Sequence, residues 1–204
     1  MSPSCAVIVF AKAPVAGFAK TRLVPALGTE GAARMAERLL AHALEQACAA
    51  AIGPVELCCW PDASHPAFLA LSQLHGVALC CQGEGDLGEK MARALDRALQ
   101  THRSAILIGT DAPGVDAGYL QDAARALQHK DAVFGPALDG GYTLVGLRSP
   151  QPTLFDAMAW STATVMSETR VRLARLGMTH AELCALPDID EPVDLVHLNP
   201  EWLA

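Results

Sequence analysis

Short apolar runs with no helical period alternate along this chain with longer stretches in which apolar residues recur every three or four positions. The short runs at residues 6–10, 55–60, 77–81, 104–108, 132–134 and 143–147 read as strands. Most lack polar alternation, which is the pattern of a parallel sheet covered on both faces. Between them, residues 29–51 and 66–74, the stretch after a turn at 83–88, and residues 116–128 and 162–176 read as helices. The first carries Ala32, Met35, Leu39, Ala43 and Ala47 on one stripe, and the third carries Leu87, Met91, Leu95 and Leu99. Asp86 and Glu89 stand three apart, as a capping pair should, and Gly177 stands at the end of the last helix. Gly135-Pro136 is expected to interrupt its strand, and residues 11–27 read as a loop. Strand and helix alternate in the βαβ manner, which predicts a three-layer α/β/α domain around a mostly parallel sheet. No internal repeat or linker divides the chain, so residues 1–204 read as one domain.

Composition narrows this picture. Apolar residues make up 51% of the 204 and charged residues only 18%, which fits a packed globular core. The net charge of −7 speaks against a nucleic-acid partner. No run approaches membrane-spanning length. The first apolar run has no basic residue before it and is broken early by Lys12, so it is not expected to be a secretion signal. Cys58-Cys59 and Cys80-Cys81 lie inside apolar runs, so they read as buried, reduced thiols of a cytoplasmic protein, with all seven cysteines free. The seven histidines form no Ser-His-Asp or Cys-His arrangement, and Trp60, Trp160 and Trp202 read first as packing residues.

Against so apolar a background, three polar islands stand out. The first holds Lys12, Gly17, Lys20 and Arg22 directly after the first strand. A loop of this kind surrounds a phosphate, or is simply a solvated basic loop in which Lys20 and Arg22 contribute little to stability. It is neither a P-loop nor a dinucleotide fingerprint. The second is Gly109-Thr110-Asp111-Ala112-Pro113, past the end of run 104–108. Ligands of open α/β sheets bind beyond the carboxyl ends of strands, so Asp111 either holds a divalent cation there or caps a turn. The third is Asp139-Gly140-Gly141-Tyr142, a close approach to a ligand or a hairpin turn. Asp188 and Asp190 add two late carboxylates.

The ordered set of Phe10-Ala-Lys12, Lys20-Thr-Arg22-Leu, Gly83-x-Gly85-Asp86-Leu-Gly88, Gly109-Thr-Asp111-x-Pro113, Asp139-Gly-Gly-Tyr142, Trp160-Ser161-Thr162 and Asp188-Ile-Asp190 resembles the bacterial rSAM/selenodomain-associated transferase 1 family. The resemblance covers nearly the whole chain. It implies the Rossmann-like GT-A fold of nucleotide-diphospho-sugar transferases, a Mg²⁺ or Mn²⁺ cofactor, a nucleotide-sugar or NTP donor, and a small-molecule acceptor. By the same resemblance, Lys12, Gly17, Lys20 and Arg22 meet the donor phosphates, and Gly85, Asp86 and Gly88 lie near its base. Asp111 and Asp190, or Asp188 in its place, hold the metal. Asp139, Gly140, Gly141, Tyr142, Trp160, Ser161 and Thr162 face the sugar or acceptor. Asp111, Lys20 and Asp139 are the expected catalytic set.

Three functions follow as expectations. The first is metal-dependent glycosyl transfer. The second is nucleotidyl transfer from an NTP to a phosphorylated small molecule, as in guanylyltransferases that resemble this fold and carry a similar Lys-Ser-Arg-Leu-like element. Pro113, in place of the second acid of an Asp-x-Asp pair, keeps it open. The third is nucleotide binding without catalysis.

Overall fold

The computed structural model describes residues 5–202. Its strands are β1 (Cys5–Lys12), β2 (Val55–Trp60), β3 (Ala78–Cys81), β4 (Ser104–Ile108), β5 (Ala132–Pro136), β6 (Tyr142–Leu147) and β7 (His180–Glu182). Its helices are α1 (Val24–Ala49), α2 (Pro66–His75), α3 (Leu87–Leu99), α4 (Ala117–Ala126) and α5 (Val165–Arg175). All seven strands join one sheet in the order β3-β2-β1-β4-β6-β5-β7. Successive side chains of a strand point to opposite faces, and β1 uses both. Val7, Val9 and Ala11 enter a core with Leu40 and Leu44 of α1, Phe68 of α2 and Leu120 of α4. Ala6, Ile8 and Phe10 enter a second core with Met91 and Leu95 of α3 and Met166 and Leu173 of α5. The three-layer α/β/α expectation holds, and β4 lies inside the sheet with its last four residues buried.

The sequence pattern did not reveal the sheet's antiparallel part. β6 runs antiparallel to both β4 and β5. Only residues 137–141 link β5 to β6, far too few for a parallel crossover. Pro136 stays within β5 because the register against β6 shifts at Gly135/Pro136, so its missing N–H falls at an irregularity. β7 has three residues and offers no periodicity to detect. The loop read over residues 11–27 ends early, with a 3₁₀ turn at Thr21–Leu23 and the start of α1 at Val24. Pro25 suits the first turn, and Gly28 breaks the helix at φ 70°, ψ 168°, just before the predicted start. The capping box at Asp86 forms as expected: Glu89 N–H donates to Asp86 Oδ1 at 2.8 Å and Asp86 N–H to Glu89 Oε2 at 2.9 Å.

All seven cysteines are free. Cys58 and Cys59 are buried, but Cys80 is only partly so and Cys81 is exposed, because β3 is an edge strand. No helix among the described residues is long and apolar enough to cross a membrane.

A third, smaller cluster has a positional role. Leu23, Ala32, Met35 and Leu39 pack with Ile189 and Leu198 of the C-terminal segment. Ile189 is fully buried there and carries the acids on either side of it, Asp188 and Asp190, to the top of the sheet.

Candidate active site at the carboxyl end of the sheet

The chain runs β1, β2, β3 to one side of the sheet and then returns to β4 on the other side of β1. The crevice between the carboxyl ends of β1 and β4 is therefore a topological switch point, where ligands of α/β sheets bind. A cleft of about 560 Å³ lies over that crevice. Along its rim stand Gln82 after β3, Trp60 ending β2, Lys12 ending β1, Thr110 and Asp111 after β4, and Tyr142 opening β6.

Lys20 is the pivot of the charged part. Its backbone is left-handed, φ 48° and ψ 42°, and its side chain is only 7% exposed. The ammonium meets Asp111 Oδ1 at 2.6 Å, donates to the Ile189 carbonyl at 2.6 Å, and stands 3.9 Å from Asp190 Oδ1. Ile189 N–H donates in turn to the Asp111 carbonyl at 2.8 Å. Thus Lys20 is not a solvated loop cation, one of the two readings its sequence neighbourhood left open. It is a buried positive charge between two carboxylates, tying the C-terminal segment to the end of β4. Arg22 is exposed and pairs with Asp190 Oδ2. Lys12 is exposed over the Phe18 ring, 3.9 Å from its centroid.

Asp188 is half-buried, and burial first, then the charges of Asp139 and Asp111, push its carboxyl above the usual carboxylate range. With Asp194, whose charge adds to theirs, four acids therefore share one neighbourhood. A group with a raised native pKa favours the fold when protonated and costs it stability as pH rises through that pKa. Asp188→Asn should therefore raise the melting temperature of the ligand-free protein near pH 7. The gain should vanish below about pH 4, where the acid is neutral in both states; thermal melts across pH check this.

Asp139 Oδ1 accepts from Gly141 N–H at 2.8 Å and closes the turn before β6. Gly140 has φ 95°, and a Cβ there would lie 2.2 Å from the Ala163 carbonyl oxygen. Its own carbonyl accepts from Met166 N–H at 2.8 Å, so the turn is locked to α5. Tyr142 stacks edge-on against Trp160, centroids 6.3 Å apart, and burial pushes its hydroxyl pKa upward. Trp160, Ser161 and Thr162 line the same wall, with Thr162 Oγ1 donating to the Ala159 carbonyl at 2.8 Å.

The cleft thus gathers Lys12, Lys20, Arg22, Asp111, Asp139, Gly141, Tyr142, Trp160, Ser161, Thr162, Asp188 and Asp190. Gly17, Gly85, Asp86, Gly88 and Gly140 are not among its lining residues. Asp86 is occupied as a helix cap, and Gly88 packs against the wall from behind. A Cβ on Gly88 would come within 2.7 Å of the Phe155 carbonyl oxygen and 2.9 Å of the Trp160 ring. Gly88→Ala should cost about 1–3 kcal/mol of stability, read by chemical denaturation, since neither neighbour can move freely. Trp60, Leu87, Met91 and Gln82 also line the cleft, although sequence reasoning had left them out. A polar residue directly at the end of a β-run was the available signal for Gln82.

Among the described residues, no three acidic, imidazole or thiol side chains form a ready-made metal cage. The carboxylates that meet the Lys20 ammonium nevertheless have the chemistry of a hard-cation site. Mg²⁺ commonly takes only one or two protein carboxylates and fills its shell with phosphate oxygens and water.

Residues 39–162 match the family described as "Uncharacterized protein conserved in bacteria (DUF2064)". No curated protein matches the chain in sequence. Among solved structures, a protein from Desulfovibrio desulfuricans G20, described provisionally as a nucleotide-diphospho-sugar transferase, superposes with a TM-score of 0.86. The two are 31% identical over 94% of this chain and 84% of that one. The 4-diphosphocytidyl-2C-methyl-D-erythritol synthase of Anaerococcus prevotii DSM 20548 superposes with a TM-score of 0.66 at 10% identity, covering 99% of both chains. The glucosyl-3-phosphoglycerate synthase of Mycobacterium tuberculosis, solved with Mn²⁺, UDP and its product, gives 0.60 at 9% identity, over 96% of this chain and 75% of that one. These likenesses establish the nucleotide-diphospho-sugar transferase fold.

Proposed function

We propose that this chain, which belongs to the DUF2064 family of conserved bacterial proteins, is a metal-dependent transferase that passes a sugar from a nucleotide-sugar donor to a small-molecule acceptor. The observation that carries this reading is the Lys20 ammonium held between Asp111 and Asp190 at the switch point of the sheet, with Lys12 and Arg22 lining the same cleft. Such a site holds cations and phosphates together. Asp111 with Asp190, and Asp188 next to them, would hold Mg²⁺ or Mn²⁺. When bound, that ion supplies positive charge to phosphate oxygens. Lys20 and the exposed Lys12 and Arg22 offset the charge that builds on a departing diphosphate. Asp139, held by the turn through Gly140 and Gly141, faces the acceptor along with Tyr142, Trp160, Ser161 and Thr162. Gly17, Gly85, Asp86 and Gly88 shape the donor side through the backbone. The whole is one domain acting on small molecules. The ordered motifs support the finer placement in the rSAM/selenodomain-associated transferase 1 group.

A second reading, nucleotidyl transfer, is favoured by one specific feature. The position two after Asp111 is Pro113, so the paired acids common at sugar-transfer sites are missing. Product analysis separates the two. With a panel of sugar and phosphosugar acceptors, glycosyl transfer releases a nucleoside diphosphate from a nucleotide sugar. Nucleotidyl transfer releases pyrophosphate from an NTP. Neither product, with no nucleotide bound, removes both readings.

A further inference from the structure

Gln82 is a buried polar side chain, 7% exposed, directly after β3 and on the wall of the cleft. Its Nε2 donates to two backbone carbonyls, Ala11 at 3.2 Å and Cys58 at 3.1 Å. Flipping the amide would set its oxygen against both carbonyls, so these bonds fix which atom is which. Both N–H donors are used, and among the described residues no donor is paired with Oε1. Nor is Oε1 sealed away, since the one such buried unpartnered atom among the described residues is Trp160 Nε1. Oε1 is therefore a fixed acceptor that reaches open space, and the space this residue borders is the cleft. The main chain is fixed as well: Arg93 donates to the Gln82 carbonyl at 2.6 Å and to that of Glu84 at 2.7 Å.

The surroundings of Gln82 favour a flat, apolar group carrying an N–H. Trp60, Leu87 and Met91 line this end of the cleft, and Leu87 is exposed there despite its size. Lys90 stands over the Trp60 ring, 3.4 Å from its centroid. Asp111 and Lys20 lie three strands away along the sheet, about 14 Å at the usual strand spacing. One end of the cleft is charged and the other is apolar with a single aimed acceptor, which is the polarity of a nucleotide lying along the sheet edge.

We infer that Gln82 reads the nucleobase, accepting from an exocyclic amine through Oε1, so that the site prefers an amino-bearing base. Cytosine, adenine and guanine present such an amine. Uracil puts a carbonyl where cytosine has it, and hypoxanthine lacks the 2-amine of guanine and has a carbonyl in place of the 6-amine of adenine. The inference rests on the transferase reading above and adds the class of nucleotide to it.

Calorimetry with CDP, UDP, ADP, GDP and IDP, each with Mn²⁺, tests it on wild-type protein and Gln82→Met. The wild type should bind CDP over UDP, or GDP or ADP over IDP, by about tenfold, the value of one well-made hydrogen bond. Gln82→Met should bring that ratio near one. A ratio of affinities is insensitive to the folded fraction of the variant, and the wild-type ratio stands without it. Equal wild-type affinities within all three pairs, or a preference that survives in Gln82→Met, overturn the assignment and leave Gln82 as a pin between β1, β2 and β3. If no nucleotide binds either protein, the transferase reading falls and this inference falls with it.

Discussion

Asp111→Asn should abolish the stabilisation that nucleotide and metal give together. In the wild type, a donor at about a hundred times its dissociation constant should add about 2.7 kcal/mol. For a chain of this length that raises the melting temperature by about 5–10 °C. Asparagine keeps the shape and removes one of the two carboxylates on which a hard cation depends. The metal-dependent part of the shift should disappear, a loss of about 100-fold in affinity. The ligand-free protein should also weaken. Sequence alone predicted no such cost, since Asp111 read as a cation ligand or a turn cap with other carboxylates, not a resident cation, beside it. In the structure it is the 2.6 Å partner of a buried ammonium. Asp111 is half exposed, so solvent screening keeps the penalty to about 1 kcal/mol.

Lys20→Met should have the second largest effect, and in two opposite directions. Removing the ammonium leaves Asp111 and Asp190 without the charge that now sits between them. Mn²⁺ alone should then bind the variant about tenfold more tightly than the wild type, because no resident cation competes and like charges strengthen the site. Nucleotide in the presence of Mn²⁺ should bind about 30-fold more weakly, since a charged donor to phosphate is lost. A calorimetric titration of each ligand separates the two. If Lys20 only ties the C-terminal segment to β4, the melting temperature drops while Mn²⁺ affinity stays as it was.

The sequence exposed the parts of this molecule whose signals are local. β4 was legible because five small or apolar residues end abruptly in Gly109, and Asp111 was legible because it follows such an end. Lys12, Lys20 and Arg22 were legible as cations crowded into one loop of a chain that has few. What sequence could not reveal depends on distant partners. The Lys20 ammonium is buried by contact with Ile189, 169 residues away. Ile189 reads as an ordinary apolar residue between two acids until α1 closes over it. Gln82 acquires its fixed orientation from carbonyls on β1 and β2. The direction of β6 follows from the shortness of residues 137–141, a turn signal that fitted a loop against a ligand equally well.

The account depends on cation and nucleotide meeting in one cleft, with Asp111 on the cation. The most direct test is the affinity of wild-type protein for a nucleoside diphosphate, titrated in Mn²⁺ and again in EDTA. Binding at least about tenfold tighter in Mn²⁺, with that gain absent from Asp111→Asn, is the predicted result. Equal binding in Mn²⁺ and EDTA, or a metal-dependent gain that Asp111→Asn retains, would contradict it.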